Sequence, residues 1–443
     1  MRPLASLSTG PGKARCASGP IAGQPIEQTE LATIAMYATI TILDLPERLG
    51  TAVSRVSTRY RGMRRNLHYE LCLIGAVAIF RRSKGQGPQM PYEVDFLSVG
   101  DSNGDAICLR YGNHGTRYTI HVVDGGYTDT GQVVVDHINT FYGRPTYIDH
   151  VVLSHADRDH AGGVATILES FDIGSLWMNR PWLYAEEIVE RFHGNYTVQG
   201  LRNRIREEYP LLVELERIAE RRGIRINEAF AGHQIGAFRV LAPLRDTYLS
   251  LIPEFDRTPT SKADSERGIF GAIREIVKEV QAWFESWADE KLSDNPPATS
   301  ASNESCVVQM AILDNHRLVL TADAGPKALT EAVQVATHYE IMGLPKFFQI
   351  PHHGSRRNVT PTVLNQWLGG LVAQGSPEIG VAYCSVGTNK PEYPRHRVRN
   401  AFLRRGFGVY PCRGGWINYH SGFGDRPNTL PLASETFQSF YEE

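Results

Sequence analysis

The chain has 443 residues, of which 42% are hydrophobic and 21% charged, and its formal net charge at pH 7 is −2. This composition is typical of a globular protein with one large or two medium domains, and the small net charge excludes a global basic field for binding nucleic acid. The longest apolar run, residues 71–80, is too short for a bilayer span of about 20 residues. The sequence therefore predicts no transmembrane segment.

Residues 1–89 differ from the rest, with 12 Lys or Arg against 5 Asp or Glu. They are predicted to form a poorly defined basic extension, and residues 83–91 have the composition of a linker. A clear strand pattern begins at Tyr92, just after Met90. One hypothesis is that the natural protein starts at Met90. The alternative is a small basic appendage that docks on a partner or a membrane face.

From residue 92 onwards, alternating apolar residues predict a strand-rich domain. Strands are expected near residues 92–99, 105–111, 117–123, 148–154, 174–178 and 236–242. Between them, a charged helical insert is predicted over 184–222. A second insert is predicted over 262–293, with an amphipathic helix from Ile269 to Lys291 whose aromatic stripe is a packing face. Both inserts are candidate surfaces for a protein partner.

The remainder of the chain alternates between strands and helices. Strands are predicted near residues 305–313, 316–321, 346–351, 379–386, 408–412 and 415–420, and helices near 326–338, 361–370 and 395–405. Residues 431–443 are expected to be a C-terminal tail.

The stretch from Ser154 to Gly163 holds four potential metal ligands within six residues: His155, Asp157, Asp159 and His160. It follows the apolar run 151–153, so a buried strand is predicted to deliver these ligands into a turn. Imidazole and carboxylate groups together suit a hard or borderline divalent ion. Without a cation, carboxylates this close would repel one another.

Three other apolar strands end in Asp or His. Asp124 precedes two glycines and is predicted to orient a ligand or a bound water, although a simple turn aspartate has the same pattern. Asp323 also ends a buried strand, and such a carboxylate could bridge two ions. His352 and His353 follow a further strand; in an extended chain they would point in opposite directions, so only one of them is expected to ligate the same ion, and the other to face substrate. A pair of capping histidines in a loop is the alternative. Several strand ends meeting at one edge of a two-sheet sandwich would form one pocket.

Six scattered cysteines form no CxxC pair, which argues against a cysteine zinc site. Cys108, Cys306 and Cys384 lie in apolar runs, where a free thiol acts as a small core residue. This usage favours a reducing, cytoplasmic setting.

With these motifs in order, the chain from about residue 92 to 420 resembles the metallo-β-lactamase fold superfamily. It is most similar to the hydrolase domain of ComEC-type competence proteins and their soluble relatives. The superfamily motif HxHxDH reads His155-Ala-Asp157-Arg-Asp159-His160 here, and Asp at the second His is typical of that branch. The other shared motifs are Val99-Gly100-Asp101, Gly104-Asp105, Asp124-Gly125-Gly126, Asn303-Glu304-Ser305, Ala322-Asp323-Ala324-Gly325, His352-His353-Gly354-Ser355, and Ser385-Val386-Gly387 with Asn389.

The resemblance implies an α/β fold, a four-layer αβ/βα sandwich spanning 90–430, with two divalent ions (zinc or manganese) at its top edge. One ion would be held by His155 and Asp157, and the second by Asp159, His160 and His353, with Asp323 bridging both. Asp159 and His352 are the expected catalytic residues, with His352 contacting the scissile group or acting as general acid. Asp124 and Asn303 would support the ligands, and Ser355, Arg356 and Asn389 would contact substrate.

Two departures from the family pattern are visible. The third histidine of the first ion is replaced, in the best alignment, by Asn303, with His233 as an alternative. A histidine that often precedes proline is replaced by Tyr393 before Pro394, with His396 nearby. The competence proteins' membrane channel is missing, so DNA uptake is not implied.

The predicted function is a di-metal hydrolase that acts on a phosphodiester, in nucleic acid or in a phosphorylated small molecule. Arg356, Arg357 and the arginines of 395–405 favour phosphate, because guanidinium groups pair well with its oxygens; for 395–405 a solvated helix face is an equal alternative. The competing functions are hydrolysis of an ester, lactone or amide on the same fold, and a regulatory or interaction protein with a structural metal site.

Overall fold

The computed structural model describes residues 4–8, 90–255, 282–427 and 429–442. These residues belong to one compact unit, made of Met1–Thr9 and Gly87–Glu443. A second unit, Gly10–Gln86, lies outside the described residues. Apart from a strand at Leu4–Ser8, the predicted basic extension is therefore not described, and the start at Met90 stays a prediction.

The strands of the first sheet are β1 Leu4–Ser8, β2 Tyr92–Leu97, β3 Ile107–Tyr111, β4 Thr119–Val123, β5 Tyr147–Val152, β6 Asp172–Trp177, β7 Arg225–Asn227, β16 Trp416–Ser421 and β17 Thr429–Leu430. These nine strands lie in the order β17-β1-β16-β2-β3-β4-β5-β6-β7. Strands β2, β3 and β4 pair antiparallel, and β4, β5, β6 and β7 pair parallel.

The strands of the second sheet are β8 Gln234–Ile235, β9 Phe238–Ala242, β11 Val308–Leu313, β12 His316–Leu320, β13 Phe347–Gln349, β14 Gly380–Ser385 and β15 Phe407–Cys412. These seven strands lie in the order β15-β14-β13-β12-β11-β9-β8. A separate pair joins β10 Ala282–Phe284 to β18 Phe440–Glu442.

The α-helices are α1 Thr130–Phe141, α2 Arg158–Ala161, α3 Val164–Ser170, α4 Ala185–Ile188, α5 Val198–Glu208, α6 Pro210–Arg222, α7 Arg245–Leu251, α8 Ala301–Glu304, α9 Pro326–His338, α10 Pro361–Leu368 and α11 His396–Arg404. Short 3₁₀ turns occur at Pro181–Tyr184, Val189–Arg191, Ile252–Glu254 and Pro351–Gly354. Within the described ranges, every helix is too short or too polar to span a bilayer.

Three apolar clusters define four layers. The central cluster lies between the sheets and joins Val94 and Phe96 of the first to Phe347 and Tyr383 of the second. A second cluster packs helices onto the first sheet, and a third packs α9, α10 and α11 onto the second. Helices therefore cover both outer faces, and the predicted αβ/βα sandwich is confirmed.

The strands and helices predicted from 92 to 178 and from 305 to 420 are confirmed within a few residues. Helix α1 was not predicted, although its buried residues Val134, Val135 and Ile138 lie at helical spacing. The described cysteines, which include Cys108, Cys306 and Cys384, are free and buried.

The first insert is helical, as predicted, but it is more than a solvated appendage. Leu201, Ile205, Leu212, Leu215 and Ile218 are buried in the cluster on the first sheet. Charged residues occupy the opposite faces of α5 and α6, because each helix is amphipathic.

The second predicted insert is only partly described, since residues 256–281 lie outside the described ranges. The helix predicted from Ile269 to Lys291 is wrong near its C-terminal end, because Ala282–Phe284 is a strand that pairs with Phe440–Glu442. The buried Glu285 explains the extended chain: it accepts hydrogen bonds from Asn400 and Tyr441 and pairs with Arg404. Residues 431–443 are thus not simply a tail.

The alternation in β2 also hides a charged network on its outer face. Asp95 is fully buried and accepts hydrogen bonds from Tyr142, Asn418 and Arg426 at 2.7–2.8 Å. Arg426 lies 3.0 Å from Glu93 as well, and its guanidinium packs over aromatic rings. Burial would raise the pKa of Asp95, but Arg426 and His137 outweigh it and hold that pKa well below its usual value.

We expect Arg426→Ala to destabilise the fold by about 3 kcal/mol, the lower end for breaking a buried pair, because Asp95 and Glu93 lose the guanidinium that they share and keep only His137 and Arg110, respectively. Arg204→Ala is the matched control, since Arg204 makes exposed ion pairs on α5 and should contribute less than about 1 kcal/mol. Guanidinium unfolding measures both. Equal effects of the two substitutions would contradict a stabilising role for the buried pair.

Candidate metal centre

Strand ends from both sheets deliver polar side chains to one place. In the first sheet, the parallel strands β4 and β5 end just before Asp124 and His155. In the second sheet, the parallel strands β12 and β13 end just before Asp323 and His353. Ligand sites of α/β proteins commonly lie beyond such carboxyl ends of parallel strands.

The turn after β5 is compact because glycines surround it. Asp157 has an extended backbone and immediately precedes α2, which carries Asp159 and His160. A Cβ atom on Gly104 would lie 2.6 Å from the Asp159 carbonyl oxygen, and one on Gly125 would lie 2.6 Å from the Val164 amide nitrogen. Only glycine allows the neighbouring backbones to approach so closely.

Four side chains converge at the centre of this edge. Ligand atoms of Asp159, His160, Asp323 and His353 lie within 4.8 Å of one another. Asp323 Oδ1 is 3.5 Å from His160 Nε2 and 3.5 Å from His353 Nε2. These three atoms are buried and have no hydrogen-bond partner among the described residues. Buried polar atoms are nearly always paired, so this arrangement fits a cation ligated by all of them.

The hydrogen bonds of the histidines fix which ring nitrogen faces the centre. His160 Nδ1 donates to Asp124 Oδ2 at 2.7 Å, and His353 Nδ1 donates to the Ser385 carbonyl oxygen at 3.0 Å. With the proton on Nδ1, each neutral ring presents the lone pair of Nε2 to the centre. Asp124 thus holds the His160 ring in this orientation.

His155 and Asp157 lie beside this cluster, outside the set of four. His155 Nε2 is 3.4 Å from Asp157 Oδ2, and the His155 and His160 ring centroids are 4.2 Å apart. Ser154 Oγ donates to Asp124 Oδ2, so the same hydroxyl oxygen accepts from His155 Nδ1 at 3.0 Å. His155 thus also directs Nε2 away from the hydrogen bond at Nδ1, and Nε2 has no hydrogen-bond partner within the described part of the chain.

The two adjacent histidines are arranged differently from the extended pair that was predicted. His352 and His353 both have left-handed backbones, with φ of 48° and 57°. Because neither residue is extended, both side chains reach Asp323, with His352 Nε2 3.5 Å from Oδ2 and His353 Nε2 3.5 Å from Oδ1. The prediction that the two side chains point in opposite directions is therefore wrong, whereas the prediction that only one of them ligates the same ion stays a prediction.

Asp105 also lies at the site, although it was not among the predicted Asp and His residues that follow apolar strands. It is 1% exposed, and its ligand atom lies within 4.8 Å of those of Asp124 and His160. Gln349 Nε2 donates to its Oδ2, while its Oδ1 has no partner among the described residues. Asp105 precedes β3 instead of following a strand; the shared Gly104-Asp105 motif was the available signal.

The electrostatics agree with a site for a cation. Burial alone would raise the pKa of Asp323, but His352, His353 and His160 lower it well below the usual value. Burial alone would lower the pKa of His160, but the carboxylates of Asp323, Asp124 and Asp159 raise it well above the usual value. The carboxylates thus favour a positively charged group at the centre of the site.

The remaining predicted residues lie at different distances from the centre. Asn303 contacts His352 Nδ1 at 3.1 Å. Ser355 is buried directly after the histidine pair, Arg356 and Arg357 are exposed, and Asn389 is exposed on a loop that pairs with Asp101. His233 hydrogen-bonds to the Glu228 carbonyl oxygen, and it belongs to no cluster of potential ligands among the described residues.

The arginines of 395–405 are largely structural. Arg399 is buried and pairs with Glu435, and the fully buried Arg404 and Arg405 pair with Glu285 and Glu290. Arg397 stacks on Trp283. These contacts account for the arginines of the helix as structural residues, so a substrate is not needed to explain them.

Comparison with known proteins agrees with this geometry. Residues 112–233 match the family model described as the metallo-beta-lactamase superfamily. The chain contains a metallo-β-lactamase superfamily domain. The match spans Asp124, His155, Asp157, Asp159 and His160, which are the first-sheet half of the site. A search of curated proteins gave no match.

Several solved structures are also similar to this chain in part. A HARLDQ-motif mutant of a Cronobacter sakazakii metallo-β-lactamase is 13% identical, with a TM-score of 0.24, covering 72% of this chain and 77% of the other. CmlA, a diiron β-hydroxylase from Streptomyces venezuelae, is 12% identical, with a TM-score of 0.31, covering 76% and 55%. The subclass B3 enzyme MEM-A1 from a soil metagenome is 10% identical, with a TM-score of 0.26, covering 62% and 83%. Scores this low indicate nothing about the activity of this chain.

We expect Asp124→Asn to weaken divalent-metal binding about 10–100-fold. Asp124 Oδ1 accepts from the Ser154 backbone N–H, so the new amide keeps its oxygen there and turns its NH₂ towards His160 Nδ1. The His160 ring proton is then displaced to Nε2, where it blocks ligation.

Competition with a chromophoric chelator measures the affinity, and Asp136→Asn, at an exposed position on α1, is the control. Wild-type affinity in Asp124→Asn would contradict the orienting role.

Proposed function

We propose that this protein is a metal-dependent hydrolase that holds two divalent ions, zinc or manganese, at the strand ends. The observation that carries the proposal is the set of buried, unpartnered ligand atoms on His160, Asp323 and His353, with Asp159 beside them. Two imidazoles and two carboxylates match the donor preferences of zinc and manganese. The superfamily domain supports the same chemistry.

The proposed ligands follow the resemblance residue by residue. His155 and Asp157 serve the first ion; Asp159, His160 and His353 serve the second; Asp323 bridges them. Divalent ions in such a site supply Lewis acidity and lower the pKa of water, so that a nucleophile is available near neutral pH.

The exposure of these side chains suggests how the site is divided. His155, His160, His353 and Asp323 are buried and form its floor. Asp157 and Asp159 have side chains that are 36% and 27% exposed, so they face the solvent. Asp159 is therefore suited to position the attacking water, in keeping with its predicted catalytic role.

For the substrate we propose a phosphodiester. Arg356 and Arg357 are exposed just after the histidine pair, and Arg158 is exposed within the metal-binding turn. Guanidinium groups flanking a metal site suit phosphate, because they donate to two of its oxygens at once. The finer likeness to the ComEC-type branch favours the same substrate class and rests on the sequence motifs alone.

Asp159→Ala combined with His160→Ala should reduce hydrolysis of bis-p-nitrophenyl phosphate to the uncatalysed background, because it removes two ligands of one ion. Asp136→Ala combined with His338→Ala exchanges the same residue types at exposed positions and should leave the rate unchanged. Circular dichroism checks that both proteins fold. Retained hydrolysis in the first variant would reject the assignment.

Arg356→Ala combined with Arg357→Ala should raise the KM for the phosphodiester about tenfold, because a tenfold change is about 1.4 kcal/mol and each exposed charge contributes up to about 1 kcal/mol. The KM for a neutral p-nitrophenyl ester should not change. Arg204→Ala with Arg221→Ala removes two exposed arginines from the helical insert as a control. An equal rise for both substrates would reject the phosphate role of these arginines and leave the metal hydrolase in place.

A further inference from the structure

The backbone of Asp105 connects the two turns that carry the first-sheet residues of the site. Its N–H donates to the Asp159 carbonyl oxygen at 3.1 Å, and its carbonyl oxygen accepts from the Gly126 N–H at 2.7 Å. Asp159 lies in the turn after β5, and Gly126 lies in the turn that begins with Asp124. Asp105 is therefore held by both turns at once.

Gln349 connects the two segments of the second sheet that carry ligands. It is the last residue of β13, and the chain continues from it to His353. Its Oε1 accepts from the backbone N–H groups of Thr321 at 2.8 Å and Ala322 at 2.9 Å, directly before Asp323. Because two N–H groups face Oε1, the orientation of the amide is fixed and Nε2 points the other way.

A hydrogen bond joins these two residues across the sandwich. Gln349 Nε2 donates to Asp105 Oδ2 at 2.9 Å, and both residues are 1% exposed. We call this contact the Asp105–Gln349 bridge. Since it is shielded from water, loss of one partner leaves a buried polar group of the other unpaired. The bridge thus links the turns of one sheet to those of the other.

Asp105 itself does not lie where a ligand of the second ion would. The cluster of Asp159, His160, Asp323 and His353 does not include it. Its Oδ1 lies 4.0 Å from His353 Nδ1, which is the ring nitrogen that faces away from the centre. Asp105 is therefore placed behind the ligands and can act on the ion only through them.

The second ion needs both sheets in register with each other. Its proposed ligands are Asp159 and His160 from the first sheet and Asp323 and His353 from the second. Metal ligands must be held within about 0.5 Å of their working positions by the contacts of the residues around them. The Asp105–Gln349 bridge supplies such a contact between the two pairs.

The first ion depends less on this bridge. Its proposed ligands His155 and Asp157 belong to one turn of the first sheet, and Asp323 alone comes from the second. On this side the Ser154 carbonyl oxygen accepts from the Val307 N–H at 3.0 Å, which joins the sheets separately. A break in the bridge should therefore affect the two ions unequally.

We propose that Asp105 is a positioning residue for the second ion, and that it acts through the Asp105–Gln349 bridge by setting the spacing between the ligands of the two sheets. This inference rests on the proposed di-metal function. It assigns a role to a buried carboxylate that neither ligates an ion nor contacts substrate.

The test begins with Gln349→Glu in the full chain. The new side chain has nearly the same shape and keeps the acceptor for Thr321 and Ala322, but it places a carboxylate against Asp105 and breaks the bridge. Metal is removed by chelation, and equilibrium dialysis with cobalt(II) gives the affinity for each ion. One ion should bind about 10–100-fold more weakly than in wild type. Anomalous diffraction should show the remaining ion beside His155 and Asp157.

A second variant reverses the donor and the acceptor. In Asp105→Asn combined with Gln349→Glu, the new asparagine donates Nδ2–H to the new glutamate, whose other oxygen accepts from Thr321 and Ala322. This pair should bind the weakened ion at least about tenfold more tightly than Gln349→Glu does. Asp105→Asn alone can turn its oxygen to Gln349, so it should lose less affinity than Gln349→Glu. Asp136→Asn with Gln334→Glu, at exposed positions on α1 and α9, is the matched control.

Wild-type affinity for both ions in Gln349→Glu would overturn the inference and leave the di-metal hydrolase in place. A double variant as weak as Gln349→Glu would overturn it as well, because the charge of Asp105 or local packing would then matter instead of the bond. Circular dichroism checks folding. If Gln349→Glu does not fold, Asp105→Ser removes the acceptor without adding a charge and should weaken the same ion about tenfold; unchanged affinity there would overturn the role. Wild-type protein that binds no cobalt would reject the proposed function and this inference with it.

Discussion

The site depends on one constraint: each of its three buried histidines is held at Nδ1, so that Nε2 is left for the centre. The acceptors are the carboxylate of Asp124 for His160, the hydroxyl of Ser154 for His155 and the backbone carbonyl of Ser385 for His353. Holding the rings in advance lowers the conformational cost of ligation. Without these tethers the imidazoles could turn towards the carboxylates and form ordinary ion pairs.

The fold supplies these acceptors because two sheets end at the same edge. Gln349 shows how closely they are joined: its Oε1 accepts from the backbone of Thr321 and Ala322, and its Nε2 donates to Asp105 across the sandwich. One buried side chain thus fixes the loop that carries Asp323 relative to the turn before β3. The same arrangement buries Asp105 beside the other carboxylates, where burial raises its pKa despite nearby His353 and His160.

The sequence predicted the layered fold well because strand alternation and helical periodicity are local signals of burial. It also selected residues that the fold brings together, since Asp124, His155, Asp323 and His353 each follow an apolar strand. Asp105 lacked that signal. The paired left-handed conformation of His352 and His353 depends on the packing around Gly354, where a Cβ would collide with Pro394, and no local pattern encodes it. The strand at Ala282–Phe284 was mistaken for helix because its pairing partner lies at the far end of the chain.

The most direct test of the account is anomalous X-ray diffraction from crystals of the full chain, grown with zinc or manganese and measured at the absorption edge of the metal. The account predicts two anomalous peaks, one beside His160 and His353 and one beside His155 and Asp157, with the Asp323 carboxylate between them. Ordered side chains with no peak between them, or a peak elsewhere in the molecule, would contradict it.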